Sequence, residues 1–216
     1  MNDGMNLDDA VIVALGSNRA LGAVSPQQIL ESALTRFPAF GMEVVKRSRW
    51  WRSKAWPEGA GPDFVNGIAL VRTTLGPEAT LEALHAIERE FGRERNAPNA
   101  PRTLDLDLIA YGRLTTPLPR GERGRGEGVS AELTNGTPLG AAPNSGSAFN
   151  SQEPPPTQPF PLRGGRAWLP HPRAQERLFV MGPLAEIAPG WRHPVSGLTA
   201  SDLAARAKIG ADARPI

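Results

Sequence analysis

A stretch of 53 residues, 113–165, restricts most strongly what this chain can fold into. It contains nine prolines and nine glycines without a repeat, but only eight residues of the larger apolar types. So few apolar side chains cannot offset the entropy lost when a chain becomes ordered. We therefore expect this stretch to be a long disordered, low-complexity insertion. The rest of the 216-residue chain has the size of one ordinary domain, which we place at residues 8–112 and 166–210.

Composition and charge exclude several classes of protein. The 24 Lys and Arg residues barely exceed the 22 Asp and Glu residues, so we expect no nucleic-acid partner. The chain has no cysteine, which excludes disulfides, zinc ribbons, iron–sulfur clusters and thiol nucleophiles. The longest apolar run, residues 10–15, is much shorter than the roughly 20 residues of a membrane span. The acidic start is unlike a signal peptide, so we expect a cytoplasmic protein that begins at Met1 or Met5.

Strand and helix patterns alternate outside the insertion. Short β-branched apolar runs predict strands, and apolar residues at helical spacing behind a cap predict helices. The predicted strands are residues 10–15, 42–51, 64–71 and 103–109, and the predicted helices run from Pro26 to near Pro38 and from Pro77 to Gly92. The order βαββαβ predicts an α+β fold, a ferredoxin-like sandwich with C-terminal helical and extended additions.

Two aspartates, Asp105 and Asp107, lie two residues apart on the fourth predicted strand. Because strand side chains alternate between faces, both carboxylates project from one face, and Leu104, Leu106 and Leu108 project into the core. Two carboxylates on a rigid strand suit Mg²⁺, which takes oxygen ligands and leaves positions for water and substrate phosphates. An amphipathic strand with an acidic polar side has the same pattern, so the alternation alone leaves both interpretations open.

Further charged residues precede the acidic strand, namely Glu88, Arg93, Arg95 and Arg102. Carboxylates for Mg²⁺ together with guanidinium groups are typical of phosphoryl or pyrophosphoryl transfer, where positioning and charge neutralisation supply most of the rate. The chain has no Gly-x-x-x-x-Gly-Lys-Ser/Thr loop, which excludes a P-loop enzyme. The turn at residues 16–18 is too short to be taken as a phosphate-binding loop by itself.

Five stretches of the chain are informative when taken together: VIVALGSN (11–18), PDFVNGIALV (62–71), LHAIEREFGRER (84–95), APRTLDLDLIAYG (100–112) and LPHPRAQERLFVMGPLAEIAP (169–189). In these stretches the chain resembles the 6-hydroxymethyl-7,8-dihydropterin pyrophosphokinase (HPPK) family. The resemblance implies an enzyme of folate biosynthesis that moves pyrophosphate from ATP to the pterin hydroxymethyl group and releases AMP. It further implies that the protein binds two Mg²⁺ ions, ATP and the pterin, and that it is a monomer.

The resemblance also implies roles for individual residues. The two strand aspartates, Asp105 and Asp107, are implied to hold the Mg²⁺ ions that bridge the ATP phosphates. By the same resemblance, three arginines act on the phosphates: Arg93, Arg95 and Arg102. The residues implied to complete the ATP site are His85, Glu88, Leu108, His171 and Arg177. The residues implied to bind the pterin are Ser53, Phe64, Asn66 and Phe179. Asn66 suits this task because an amide can donate to and accept from a pterin edge at once.

Other interpretations of these residues stay open. Phe64 and Phe179 also fit ordinary core positions. His171, between two prolines, is typical of an exposed loop residue without a role. Glu88 could simply cap its helix or pair with Arg89 or the nearby Arg95.

Two alternative functions follow from the same predicted fold. A non-enzymatic RNA-binding module is one, because ferredoxin-like sheets also serve that role; two carboxylates on the last strand would, however, repel phosphates unless a cation intervened. A nucleotidyl transferase with the same carboxylate pair is the other. The chain departs from residues common in the resembled family at His85, Ala100 and Pro172, which leaves the adenine contacts and loop geometry open.

Overall fold

The structure is a computed structural model that describes residues 6–55, 61–92, 102–115, 117–118 and 167–216. Its strands are β1 (Val11–Ser17), β2 (Met42–Arg47), β3 (Trp51–Ser53), β4 (Phe64–Thr73), β5 (Asp105–Tyr111), β6 (Pro117–Leu118), β7 (Ala167–Trp168) and β8 (Arg214–Pro215). Its helices are α1 (Pro26–Arg36), α2 (Pro77–Glu90), α3 (Leu178–Ile187) and α4 (Ala200–Arg206). Short 3₁₀ helices lie at Leu7–Asp9, Phe37–Phe40 and Ala174–Glu176.

The two predicted helices form where their caps indicate. Ser25 caps α1, since its hydroxyl accepts from the backbone N–H of Gln28 at 3.4 Å and the Gln28 side chain accepts from Ser25 N–H at 2.9 Å. Pro77 takes the first position of α2, where its missing N–H has no helical partner to lose. Gly92 follows α2 with a φ of 72°, a left-handed conformation that favours glycine.

One antiparallel sheet runs in the order β5-β1-β4-β3-β8, and β2 pairs with β4 beside β3. The predicted strand 42–51 is therefore interrupted after Arg47. Beside this interruption the ring of Trp50 packs on Gly67, where a Cβ would lie 2.6 Å from the indole. At the interruption, the hydroxyl oxygen of Ser48 accepts a hydrogen bond from the backbone N–H of Ile68 at 3.0 Å.

The sheet has an apolar core on each face. Helices α1 and α2 pack on one face, against alternate residues of β1 and against Leu104, Leu106 and Leu108, as the alternation predicts. Helices α3 and α4 pack on the other face, which β1 supplies with Ile12 and β4 with Ile68. The chain is thus a mixed α/β protein, and the two aspartates of β5 share their face with α3.

Most of the predicted insertion lies outside the described residues. Its first described residues end in β6, which pairs with β7 as a small second sheet, Pro117 opposite Trp168 and Leu118 opposite Ala167. Residues 118 and 167 therefore meet side by side, although 48 residues separate them in the chain. In the ranges that the structure describes, no helix is both long enough and apolar enough to cross a membrane.

Candidate active site

A row of directly opposed residues crosses the sheet from β5 to β3. Asp105 lies opposite Gly16, Gly16 opposite Asn66, and Asn66 opposite Trp51. Directly opposed residues of an antiparallel pair point to the same face, here the face that carries α3. The row therefore joins the predicted metal ligand to the predicted pterin ligand, two strands or roughly 10 Å apart.

Gly16 leaves the middle of this row without a side chain. A Cβ at this position would be in van der Waals contact with Asn66 on one side, 3.7 Å from Oδ1, and with Asp105 on the other, 3.9 Å from its Cβ. Any larger side chain would fill the space between the two functional residues. The sequence predicted only a turn near here, whereas the structure gives Gly16 a place within strand β1.

The carboxylates of Asp105 and Asp107 project from one face of β5, and both residues are half-buried. The described residues contain no cluster of three or more His, Cys, Asp or Glu side chains that could cage a metal by themselves. Mg²⁺ does not need such a cage, because it is commonly held by one or two carboxylates plus waters and substrate phosphates. The donor set of this site therefore fits Mg²⁺ that arrives with a polyphosphate.

Arg102 is held against the aspartates from two directions. Its guanidinium Nη1 lies 2.7 Å from Oδ2 of Asp105, with both side chains largely shielded from solvent. Its backbone N–H donates to Oδ1 of Asn18 at 2.8 Å, and its carbonyl accepts from the N–H groups of Asn18 and Arg19, each at 3.1 Å. The turn after β1 thus anchors the segment that carries Arg102, largely through Asn18. The sequence did not predict this role for Asn18.

Arg177 brings a second guanidinium to the same face, immediately before α3. The residue is only 4 % exposed, and its Nε and Nη2 have no hydrogen-bond partner among the described residues. Burial lowers the pKa of Arg177, and the carboxylates of Asp107 and Asp105 oppose that shift. A buried guanidinium with unused donors is equipped to receive an anion.

His171 is fully buried, so the expectation of an exposed loop histidine is wrong. Its backbone N–H donates to the carbonyl of Ile109 at 2.8 Å, which joins this segment to the end of β5. Burial, reinforced by positive Arg177, lowers the pKa of the imidazole to about 3. Nδ1 accepts from Arg173 N–H at 3.2 Å, so the neutral ring carries its proton on Nε2 and is a hydrogen-bond donor there.

Glu88 reaches the site from α2 and is buried. Its Oε1 accepts from the backbone N–H of Leu106 at 2.7 Å, at the outer edge of β5 and between the two aspartates. The structure thus gives Glu88 a contact other than the nucleotide contact or the helix pair that the sequence suggested. His85 is half-buried three residues before it, on the same side of α2.

Leu108 lies in the core, as the alternation predicts, and its implied ATP contact stays a prediction. Its side chain is completely buried between β5 and the α1–α2 layer, so that side chain has no surface to offer a nucleotide. Only its backbone, on the outer strand of the sheet, remains available for the predicted ATP contact.

The predicted pterin residues fall into two groups. Asn66 and Ser53 are buried, and Asn66 Nδ2 donates to Ser53 Oγ at 3.0 Å. Phe64 is half-buried and shares the face of Asn66, two residues earlier on β4. Phe179, in the first turn of α3, is also half-buried, and its ring centre lies 5.8 Å from the Arg177 guanidinium carbon.

Trp51, which the sequence did not place in the site, completes the row beside Asn66. Its ring packs on Gly182 of α3, where a Cβ would lie 2.6 Å away, and its Nε1 donates to Glu186 at 3.0 Å. The same carboxylate accepts from the backbone N–H and the Nε of Arg49.

Arg93 and Arg95, the other predicted phosphate ligands, lie outside the described residues.

The chain is similar to known proteins over most of its length. The family model described as 7,8-dihydro-6-hydroxymethylpterin-pyrophosphokinase (HPPK) matches residues 12–189. The chain belongs to this family. Among curated relatives, the 2-amino-4-hydroxy-6-hydroxymethyldihydropteridine pyrophosphokinase of Synechocystis is 34% identical over 189 residues, which are 87% of this chain and 71% of that protein. The protein of the same name from Pseudomonas aeruginosa is 32% identical over 85% of this chain and 83% of its own length.

Solved structures of HPPK-DHPS proteins share the fold. A triple mutant of the Plasmodium falciparum protein superposes with a TM-score of 0.59 at 12% identity, over 96% of this chain and 47% of that one. An HPPK-DHPS in complex with substrates superposes with a TM-score of 0.55 at 11% identity, over 91% of this chain and 43% of that one. This HPPK family member thus spans less than half the length of those two solved chains.

Proposed function

We infer that this HPPK family member transfers pyrophosphate from ATP to the hydroxymethyl group of 6-hydroxymethyl-7,8-dihydropterin and releases AMP, a reaction of folate biosynthesis. It is a pyrophosphokinase with ATP as its co-substrate. The family match over residues 12–189 supports this function. The observation that carries it at the level of chemistry is the row from Asp105 through Gly16 to Asn66 on one face of the sheet.

We propose that the pterin binds at the Asn66 end of this row. Ser53 accepts one amide hydrogen of Asn66, which fixes the orientation of the amide. The remaining amide hydrogen and Oδ1 are then directed at a heterocycle edge that offers both acceptors and donors. The rings of Phe64 and Phe179 are proposed to enclose the two faces of the pterin, because offset stacking favours flat heterocycles.

The triphosphate is proposed to bind at the other end of the row. Arg102 and Arg177 both direct guanidinium groups there, and each can form paired hydrogen bonds to phosphate oxygens. Arg93 and Arg95 are proposed as further phosphate ligands, His171 Nε2 as a neutral donor, and His85 as a residue of the nucleoside side. When bound to Asp105 and Asp107, Mg²⁺ would neutralise phosphate charge.

The reaction follows from the placement of these two ends. A pterin held by Asn66 directs its hydroxymethyl group along the row, over Gly16, towards the phosphates. The hydroxyl oxygen forms a bond to the β-phosphorus of ATP and releases its proton to water, while the bond from that phosphorus to the α-phosphate oxygen breaks, so AMP leaves. Arg102 and Arg177 stabilise charge on the oxygens of the transferred pyrophosphoryl group. The fixed positions of the two substrates supply the rest of the rate enhancement.

The organisation of the chain is proposed in finer detail. We propose one pyrophosphokinase domain at residues 8–112 and 166–210 with a ferredoxin-like βαββαβ core, and an insertion at 113–165. The pairing of β8 (Arg214–Pro215) with β3 extends this domain beyond residue 210. The sheet order and the packing of α1 and α2 on one face are consistent with this core. A monomer that acts in the cytoplasm and binds two Mg²⁺ ions remains a prediction.

Product analysis tests the function. The protein is incubated with ATP, Mg²⁺ and 6-hydroxymethyl-7,8-dihydropterin, and the nucleotide products are separated by chromatography. We expect AMP to appear only when the pterin is present. Free pyrophosphate would support a nucleotidyl transferase instead, and the absence of any product would support a binding module. The Asp107→Asn variant is the control for a contaminating kinase.

A further inference from the structure

The segment at residues 207–216 connects two parts of the proposed pterin site. At one end, Ile209 N–H donates to the carbonyl of Glu176 at 3.0 Å, and Leu178 N–H donates to the carbonyl of Ile209 at 2.8 Å. At the other end, β8 pairs with β3, and Ile216 N–H donates to the carbonyl of Trp50 at 2.9 Å. The segment therefore bridges the first turn of α3, which carries Phe179, and the strand that carries Ser53.

A side-chain hydrogen bond adds to this bridge beside Ser53. The Asp212 carboxylate accepts from the backbone N–H of Lys54 at 2.6 Å. Ala213 N–H donates back to the carbonyl of Gly210 at 2.9 Å, so residues 210–213 form a closed turn between the two anchors.

Gly210 packs closely on Phe179. A Cβ at Gly210 would lie 2.6 Å from Cδ1 and 3.2 Å from Cε1 of the phenyl ring, and the shorter distance requires the ring or the backbone to move. The backbone of Gly210 therefore forms a wall against which the ring rests. Its φ of 70° also favours glycine, so strain and contact must be separated experimentally.

We propose that Gly210 is a positioning residue of the pterin site: the 207–216 segment holds the Phe179 ring in the orientation that stacks on the pterin. This inference rests on the proposed function, because it requires Phe179 to bind the pterin. The segment also hydrogen-bonds on both sides of Arg177, but Gly210 itself packs on the Phe179 ring, so the affinity for the pterin should depend on Gly210 more strongly than the affinity for ATP.

A pair of glycine substitutions separates contact from strain. Gly197 has the same φ of 70° as Gly210, but a Cβ there meets nothing within 4 Å. Gly210→Ala and Gly197→Ala therefore introduce the same backbone strain, and only the first displaces Phe179. We expect Gly210→Ala to raise the KM for the pterin about tenfold, the loss of most of one aromatic stacking contact, and to raise the KM for ATP much less. Gly197→Ala should change neither constant.

A double-variant cycle with Phe179 gives a second readout. Binding of the pterin is measured by calorimetry with a non-reactive ATP analogue present. Phe179→Ala should weaken binding, and adding Gly210→Ala to it should weaken binding no further, because the ring through which Gly210 acts is gone. Additive losses would overturn the inference.

Asp212→Ala covers the case in which Gly210→Ala does not fold. It removes the Lys54 anchor without inserting a group, and should raise the KM for the pterin about threefold, as expected for one hydrogen bond. An unchanged pterin KM would overturn the inference. An active wild type whose two glycine variants share one pterin KM would also overturn it while the proposed function stands. A wild type that releases no AMP would overturn both.

Discussion

The carboxylate of Glu88 accepts a hydrogen bond from the backbone N–H of Leu106 at 2.7 Å. Leu106 lies between Asp105 and Asp107, and β5 is the outer strand of the sheet, so its outward N–H has no neighbouring strand to pair with. A side chain from α2 takes the place of the missing strand. The contact holds β5 straight where its two carboxylates must point together.

Two substitutions of Glu88 test this contact. Glu88→Ala leaves the Leu106 N–H without an acceptor in a buried setting, which should cost about 1–3 kcal/mol of unfolding free energy. Glu88→Gln retains a carbonyl oxygen for the same N–H and should recover most of that loss. Urea denaturation measures both. Equal stability of the Ala and Gln variants would contradict the proposed role of the carboxylate.

Asp107→Asn should reduce kcat about 10²–10³-fold, because it removes one of the two charges proposed to bind Mg²⁺ with the triphosphate. Asp105→Asn should have a similar effect and also weaken the pair with Arg102. Steady-state AMP release over a range of Mg²⁺ concentrations is the measurement. Glu43→Gln is the matched control, since this carboxylate also lies on a strand but forms an exposed pair with Arg72. A variant of either aspartate with the wild-type rate at saturating Mg²⁺ would rule out the metal assignment.

Arg102→Lys should lower kcat by about tenfold or more, although it preserves the charge, because an ammonium cannot reproduce two parallel hydrogen bonds to phosphate. Arg72→Lys, at an exposed ion pair on β4, should leave kcat unchanged. The comparison of the two in the AMP assay decides whether guanidinium geometry at Arg102 matters. Equal rates would mean that Arg102 serves only as a charge.

The features that the sequence predicted correctly are those whose local structure is determined by residues close to one another in the chain. The capping box at Ser25 and Gln28 starts α1, and the alternation from Leu104 to Leu108 orients both aspartates of β5. Each of these features depends on side chains within four positions of one another, so the periodicity of the chain contains it.

The parts that sequence missed depend on contacts between distant segments. His171 is buried in a segment whose backbone pairs with Ile109 on another element. The break between β2 and β3 lies where Trp50 packs on Gly67 of another strand. The contact of Glu88 with Leu106 joins a helix to a strand that lies 18 residues away. Local patterns contain no information on which distant backbone group will face a given side chain.

The burial of His171 makes stability depend on acid pH. Its pKa is about 3 in the folded protein and 6.5 ordinarily, so the unfolded chain binds a proton that the folded protein does not. The contribution is complete above pH 6.5 and is lost as the pH falls towards 3, by up to about 1.4 kcal/mol per pH unit. His171→Asn, which retains an acceptor for Arg173 N–H, should flatten this slope in urea denaturation between these pH values. Burial also lowers the pKa of His193, so His193→Asn should flatten the slope further in the double variant. A wild-type slope in His171→Asn would contradict the burial argument.

The pairing of β6 with β7 allows the insertion to be tested without disturbing the domain. Because Leu118 and Ala167 lie opposite each other, residues 119–166 can be replaced by Asn-Gly, the two-residue turn that joins antiparallel strands. Each halving of a loop lowers its closure cost by about 0.6 kcal/mol, so the shortened protein should be at least as stable as the wild type. Its kcat and both KM values should be unchanged if the insertion is no part of the catalytic domain. A variant in which Gly-Gly-Ser repeats replace the same residues at full length separates the effects of length from those of sequence. A raised KM for ATP in both variants would instead make the insertion part of the nucleotide site, because it joins β5, which carries Asp105, to the segment that carries His171 and Arg177.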